Sequence, residues 1–233
     1  MDWIDKGIVL SARRHGESSA IVTLLTEHHG RHAGLIRTSK KTAALLQIGS
    51  HVRAEWRGRL SEHLGFWTFE PLKITCAVLL DKPRALLALT AGCSLLDLVL
   101  PDHEAHSVLY QEFVNLLEML EQPAWQKPYV IFEIFMLREL GFGLDLSRCA
   151  ATGTTENLVY VSPRTGRAVS HEGGQDYVHQ LLPLPRFVLD PNDEVTPQDF
   201  KNGLRLTGYF LERYVFEPSN RKMPLARVRL SEG

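Results

Sequence analysis

The rhythm of the first 75 residues constrains this chain more than any other feature. Gly7–Arg13 (GIVLSAR) and Ala20–Thr26 (AIVTLLT) are short runs rich in β-branched residues, and His15–Ser19 (HGESS) supplies a turn between them. Glu27–Gly30 (EHHG) punctuates the next turn. Arg31–Arg37 (RHAGLIR), residues 50–59 and Gly65–Ile74 (GFWTFEPLKI, bent near Pro71) read as three more strands. About five short strands in so little chain point to a small antiparallel barrel. The longer connection Thr38–Ile48 carries Lys40 and Lys41.

One of these strands poses a question. In GSHVRAEWRGR (Gly49–Arg59), alternate side chains point to opposite faces, so Val52, Ala54 and Trp56 point one way. His51, Arg53, Glu55, Arg57 and Arg59 point the other way, giving an outer face with three arginines and one acid. Trp56 shares its face with Val52 and Ala54, which argues for a core position. The net charge of the whole chain is only −1. It hides a basic front (residues 1–80), an acidic middle (81–146) and a nearly balanced remainder, and local fields decide binding more than the total does.

After the strands the period becomes helical. Pro83 fits a first helical turn and leads Leu86–Val99. Val108, Leu109, Phe113, Leu116, Leu117 and Leu120 form an amphipathic stripe. Tyr129–Leu140 (YVIFEIFMLREL) is apolar nearly all round and predicts a buried helix ending at Gly141. Residues 147–174 are turn-rich, with a strand at Leu158–Ser162. Thr196-Pro197 opens a long helix running to about Phe216. The tail Asn220–Leu230 carries Arg221, Lys222, Arg227 and Arg229 and no acid. The division expected is a barrel domain over 1–78 and a helical domain over 79–233.

Composition, 44% hydrophobic and 23% charged, is that of an ordinary soluble protein. The longest apolar stretch, Ala85–Leu100, is interrupted by Thr90, Gly92, Ser94 and Asp97, so no membrane span is expected. Met-Asp-Trp-Ile-Asp lacks a signal peptide's basic and apolar regions, which predicts a cytoplasmic protein. Cys76, Cys93 and Cys149 are odd in number and far apart, which fits a reducing compartment. Cys149 lacks the close partner that a structural zinc site requires, because position 152 is Thr. No metal, no cofactor and no catalytic motif is expected. His15, His28, His29 and His32 lie near turns and are expected to be solvated. The acidic helices are expected to be largely solvated, and a groove between them is a candidate for a partner's peptide.

The run Gly7-Ile-Val-Leu…Gly16-Glu-Ser-Ser-Ala-Ile-Val-Thr-Leu-Leu-Thr26…Gly30-Arg31 resembles the opening of the RecO family of bacterial recombination mediators. Phe132-Glu133…Leu137…Leu140-Gly141-Phe142 resembles that family's central helix. Leu144-Asp-Leu…Cys149 fits the segment after it, and Lys222-Met-Pro-Leu-Ala-Arg227 resembles the family's ending. The resemblance implies an α+β protein, with an N-terminal OB-fold β-barrel followed by an α-helical domain carrying a zinc-ribbon-like insertion at about 147–174. It implies single-stranded DNA binding and annealing, and cooperation with RecR. It also implies help to RecA, indirectly, in displacing the single-strand-binding protein, whose acidic C-terminal tail docks on the helical domain. Zinc-binding members of the family carry two Cys pairs. Here Thr152, Ser170 and Gly173 stand where three of those cysteines would be, so the insertion is expected to be degenerate and metal-free.

The nucleic-acid-binding candidates are Arg31, Arg37, Lys40, Lys41, Arg53, Arg57 and Arg59, supported by Arg221, Lys222, Arg227 and Arg229. Neutralising about five phosphates would give a single-strand salt slope of about −3.5. Phe132, Phe135, Arg138 and Leu140 are the candidates for the partner peptide. The competing readings are an adaptor whose basic barrel face meets an acidic protein, and an RNA-binding barrel. Charge reversal at Arg57 and Arg59 is expected to abolish DNA binding in the first reading and spare it in the adaptor.

Overall fold

Five strands close on themselves in the computed structural model, which describes residues 1–60 and 64–232, the Lys41 side chain excepted. β1 (Asp2–His15), β2 (Ser19–Thr26), β3 (Gly30–Arg37), β4 (Ser50–Arg57) and β5 (Gly65–Ile74) run in the order β1-β2-β3-β5-β4, and β4 pairs back onto β1. All pairings are antiparallel except a short parallel β3–β5 contact. This is the five-stranded Greek-key arrangement of the OB fold. Between β3 and β4 lie one helical turn, α1 (Lys40–Ala43), opened by a capping box of Ser39 and Thr42, and a 3₁₀ turn over Ala44–Leu46.

Alternation fills the interior. Val52, Ala54 and Trp56 of β4 are fully buried and meet Val9, Val22, Leu24 and Trp67. The Trp67 indole N–H donates to the Val22 carbonyl at 3.1 Å, so a large apolar ring enters the core without leaving its donor unpaired. β1 begins at Asp2, five residues before the first strand expected. Its first half pairs with β4 and its second half with β2, which closes the barrel.

A bulge between Val9 and Ser11 breaks the alternation in β1, and Ile8, Val9 and Leu10 are buried in succession. Helices that follow the barrel cover them. α2 (Thr75–Val78) leaves β5, and α3 (Pro83–Val99) packs on β1 and β2. The Cys93 thiol lies 3.8 Å from the Val9 carbonyl. α4 (Ser107–Met119) packs on β2, and its buried stripe is Leu109, Phe113, Leu116 and Leu117, with the Phe113 ring against Gly92 of α3.

The compact units are therefore Met1–Gln122 with Pro224–Gly233, and Pro123–Met223. The boundary expected at 78/79 falls inside the first of these. An apolar helical stripe shows that a partner exists without saying which one, and for α3 the partners are the barrel and the C-terminal segment of the chain.

The second unit holds α5 (Gln126–Glu139), a small sheet of β6 (Leu158–Val161), β7 (Ala168–Ser170) and β8 (Leu182–Pro183), the turn α6 (His171–Gly174), and α7 (Pro197–Leu211). α7 opens as expected, with Thr196 capping, Asp199 closing the box and Pro197 in the first turn. α5 and α7 pack closely where Gly203 meets Val130. There the Thr207 hydroxyl donates to buried Glu133 at 2.5 Å. α5 is not buried all round: Ile131, Arg138 and Glu139 are exposed.

The segment 147–174 converges on buried Cys149. Its Sγ accepts from the Ser170 amide (3.2 Å), the Ser170 hydroxyl (3.3 Å) and the Thr152 amide (3.5 Å). Gly173 closes the ring, its amide donating to Ser170 Oγ at 3.1 Å. Burial pushes the thiol up, but these hydrogen bonds outweigh it and bring the pKa down to about 6. The four positions offer one thiol, two hydroxyls and no side chain at the fourth, a set that does not fit a structural zinc ion.

The chain ends in α8 (Leu225–Glu232), which packs on α3 in the first unit.

Candidate nucleic-acid interface

The outer face of β4 is not the basic strip its own sequence describes. β1 sets Asp2 opposite Arg57 and Lys6 opposite Arg53, and β5 sets Glu70 opposite Arg53. Arg53 donates to Glu70 at 2.9 Å, and Arg57 donates twice to Glu55, at 2.6 and 2.9 Å. Three cations and three anions therefore share this patch, which is sign-mixed. Such exposed pairs contribute little stability, yet each spends a guanidinium that a phosphate would need.

The other expected cations are scattered. Arg31 is half-buried, bonded to Asp97 at 3.0 Å and also to Asp102, so it ties β3 to the end of α3 and beyond. Arg227 is 1% exposed and donates to the Ser231 hydroxyl within α8, which makes it a core residue. Arg59 and Arg229 are exposed in the first unit, and Arg221 and Lys222 are exposed in the second. The Lys41 side chain lies outside the described residues.

A cluster of cations lies at the hairpin end of the barrel, where the turn itself carries one exposed acid, Glu17. Arg13, Arg14 and His15 end β1, and the turn passes through Gly16 at φ +67°. His15 pairs with Ser19, Ser19 pairs with Arg37 of β3, and the Thr38 amide donates to the Ser18 carbonyl at 2.8 Å. Lys40 follows at the start of α1. Arg13, Arg14, Arg37 and Lys40 are all exposed, and none makes an ion pair among the described residues. Arg37 and Lys40 were among the sequence candidates, whereas Arg13 and Arg14 were not. Two consecutive arginines before a Gly turn were the available signal, because a projecting hairpin exposes both faces of its strand.

One aromatic joins the barrel exterior. Phe66 is 65% exposed on β5, beside Leu35 of β3 and Arg57 of β4. His32, expected to be solvated, is 2% exposed instead. It is enclosed by Trp3, Trp56 and Trp67, and its Nδ1 lies 2.8 Å from Nδ1 of His103. Burial, then His103 and His29, lower its pKa to about 4.

On α5 the expected peptide site divides. Phe132 is buried in the core of its unit. Phe135 and Leu140 are half-buried, and the exposed Arg138 guanidinium carbon sits 4.5 Å above the Phe135 ring centroid.

Two family models match the chain in tandem: Recombination protein O N terminal over residues 1–74, and Recombination protein O C terminal over residues 80–223. The DNA repair protein RecO of Cereibacter sphaeroides (strain KD131) is 46% identical over 100% of this chain and 98% of its own. That of Caulobacter sp. (strain K31) is 47% identical over 99% of this chain and 96% of its own, and that of Rhodospirillum centenum is 45% identical over 98% and 93%. With both halves matched in order and these relatives alike from end to end, the chain belongs to the RecO family of DNA repair proteins.

Proposed function

We propose that this protein binds single-stranded DNA at the hairpin end of its barrel and anneals complementary strands there. In this reading it is a recombination mediator that works with RecR to help RecA onto DNA covered by single-strand-binding protein, in the cytoplasm at the nucleoid. The carrying observation is the set Arg13, Arg14, Arg37 and Lys40, gathered at one end of an OB-type barrel with no ion pair among the described residues. Cations not already engaged release the counterions of a phosphate backbone at no cost in broken salt bridges. Exposed Phe66 supplies a surface on which a base can stack. Two strands neutralised on such a surface repel each other less, so they meet and pair without any covalent step. The Phe135–Arg138 pair, a half-buried ring under an exposed guanidinium, suits an acidic, apolar peptide such as the tail of the single-strand-binding protein, with half-buried Leu140 a further candidate and buried Phe132 only a core residue.

Annealing of two complementary labelled oligonucleotides tests this reading. Arg13→Glu/Arg14→Glu should lose both annealing and DNA binding while keeping the wild-type unfolding transition. Full annealing by that variant would sink it.

A further inference from the structure

Asp5, Glu27 and His28 are brought together where β1 meets the β2–β3 turn. We infer that they form a binding site for a borderline divalent cation of the Zn²⁺ type. The Asp5 side chain is 4% exposed, and its carboxylate is fixed from both sides. Oδ1 accepts from the Lys6 amide at 2.9 Å and Oδ2 from the His28 amide at 2.8 Å. His28 Nδ1 lies 3.1 Å from Oδ1, and His29 Nδ1 lies 3.0 Å from Oδ2. Ligand atoms of Asp5, Glu27 and His28 all lie within 4.8 Å of one another.

The turn that presents them is held in place. The Glu27 amide donates to the Lys6 carbonyl at 3.1 Å, the Ser107 hydroxyl donates to the Glu27 carbonyl at 2.6 Å, and the His29 ring stacks on Trp3 at 3.9 Å. The donor set is one imidazole nitrogen and two carboxylates, which suits zinc and its neighbours better than calcium or magnesium. Its charge with a neutral imidazole is −2, which a dication cancels. Metal–ligand bonds of about 2.0–2.2 Å require the ligand atoms to close by up to about an ångström. Rotation of Glu27 and of the largely exposed His28 ring supplies that movement. Water from the open side completes the coordination. Lys6, whose Nζ lies 4.0 Å from Glu27, competes with the ion for that carboxylate. Bound metal would clamp the start of β1 to the β2–β3 turn and stabilise the barrel.

Calorimetric titration of Zn²⁺ into the chelator-treated, desalted full-length protein tests the site, with thermal unfolding followed in parallel. A single ion should bind the wild type and raise its unfolding temperature. Binding should survive Cys149→Ser, weaken by roughly tenfold or more in His28→Gln and in Glu27→Gln, and strengthen in Lys6→Met. No binding by the wild type would overturn the site. So would binding indifferent to both His28→Gln and Glu27→Gln, or binding abolished by Cys149→Ser.

Discussion

Arg57 and Glu55 lie two residues apart on β4, and the guanidinium donates two hydrogen bonds to one carboxylate oxygen, at 2.6 and 2.9 Å. The arginine that looks most available in the sequence is therefore already occupied. Removing the acid should free it: Glu55→Gln is expected to tighten single-stranded DNA binding a few-fold, most visibly at low salt. Fluorescence anisotropy at two salt concentrations checks this, and weaker binding by Glu55→Gln would count against it.

Phe66 exposes most of its ring, so its truncation should leave the core intact. Phe66→Ala is expected to cost about 1–3 kcal/mol of single-stranded DNA affinity, the usual worth of a base–aromatic stack. Its unfolding midpoint should stay near wild type. A variant that binds normally would remove Phe66 from the interface.

His32 predicts a pH dependence with a definite sign. Its folded pKa is lowered from 6.5 to about 4, chiefly by burial. The unfolded chain therefore takes up a proton that the folded chain refuses. The stabilisation is complete above about pH 6.5 and is lost as pH falls toward 4. Between pH 7 and pH 5 the loss is about 2 kcal/mol. Urea unfolding at both pH values should show that loss in the wild type and a smaller one in His32→Gln. Equal slopes would mean that other groups carry the effect.

Thr207→Val keeps the side-chain shape but deletes the hydroxyl that donates to buried Glu133. It should destabilise the second unit by about 1–3 kcal/mol, the cost of leaving a buried acceptor short of a partner. Denaturant titration measures this, and a neutral substitution would show that Glu133 is satisfied without it.

The barrel was legible because its signals are local. Alternation put Val52, Ala54 and Trp56 inside, and turn residues separated the strands. What stayed hidden joins distant positions. Glu70 neutralises Arg53 across seventeen residues, Asp97 and Asp102 hold Arg31 across more than sixty, and Asp5 reaches His28 and His29 from another strand. The period of α3 announced a helix without naming the barrel as a partner. The tail read as a basic extension because its charges stood out, although Arg227 and Leu230 bury themselves in α8.

The salt dependence of single-stranded DNA affinity tests the hairpin interface most directly. Four phosphate contacts, from Arg13, Arg14, Arg37 and Lys40, give a slope of log affinity against log salt of about −2.8. Arg13→Ala/Arg14→Ala should halve it to about −1.4, while Arg53→Ala/Arg57→Ala should leave it near the wild-type value. A slope unchanged by the first pair and flattened by the second would place the DNA on the β4 face and contradict the hairpin interface.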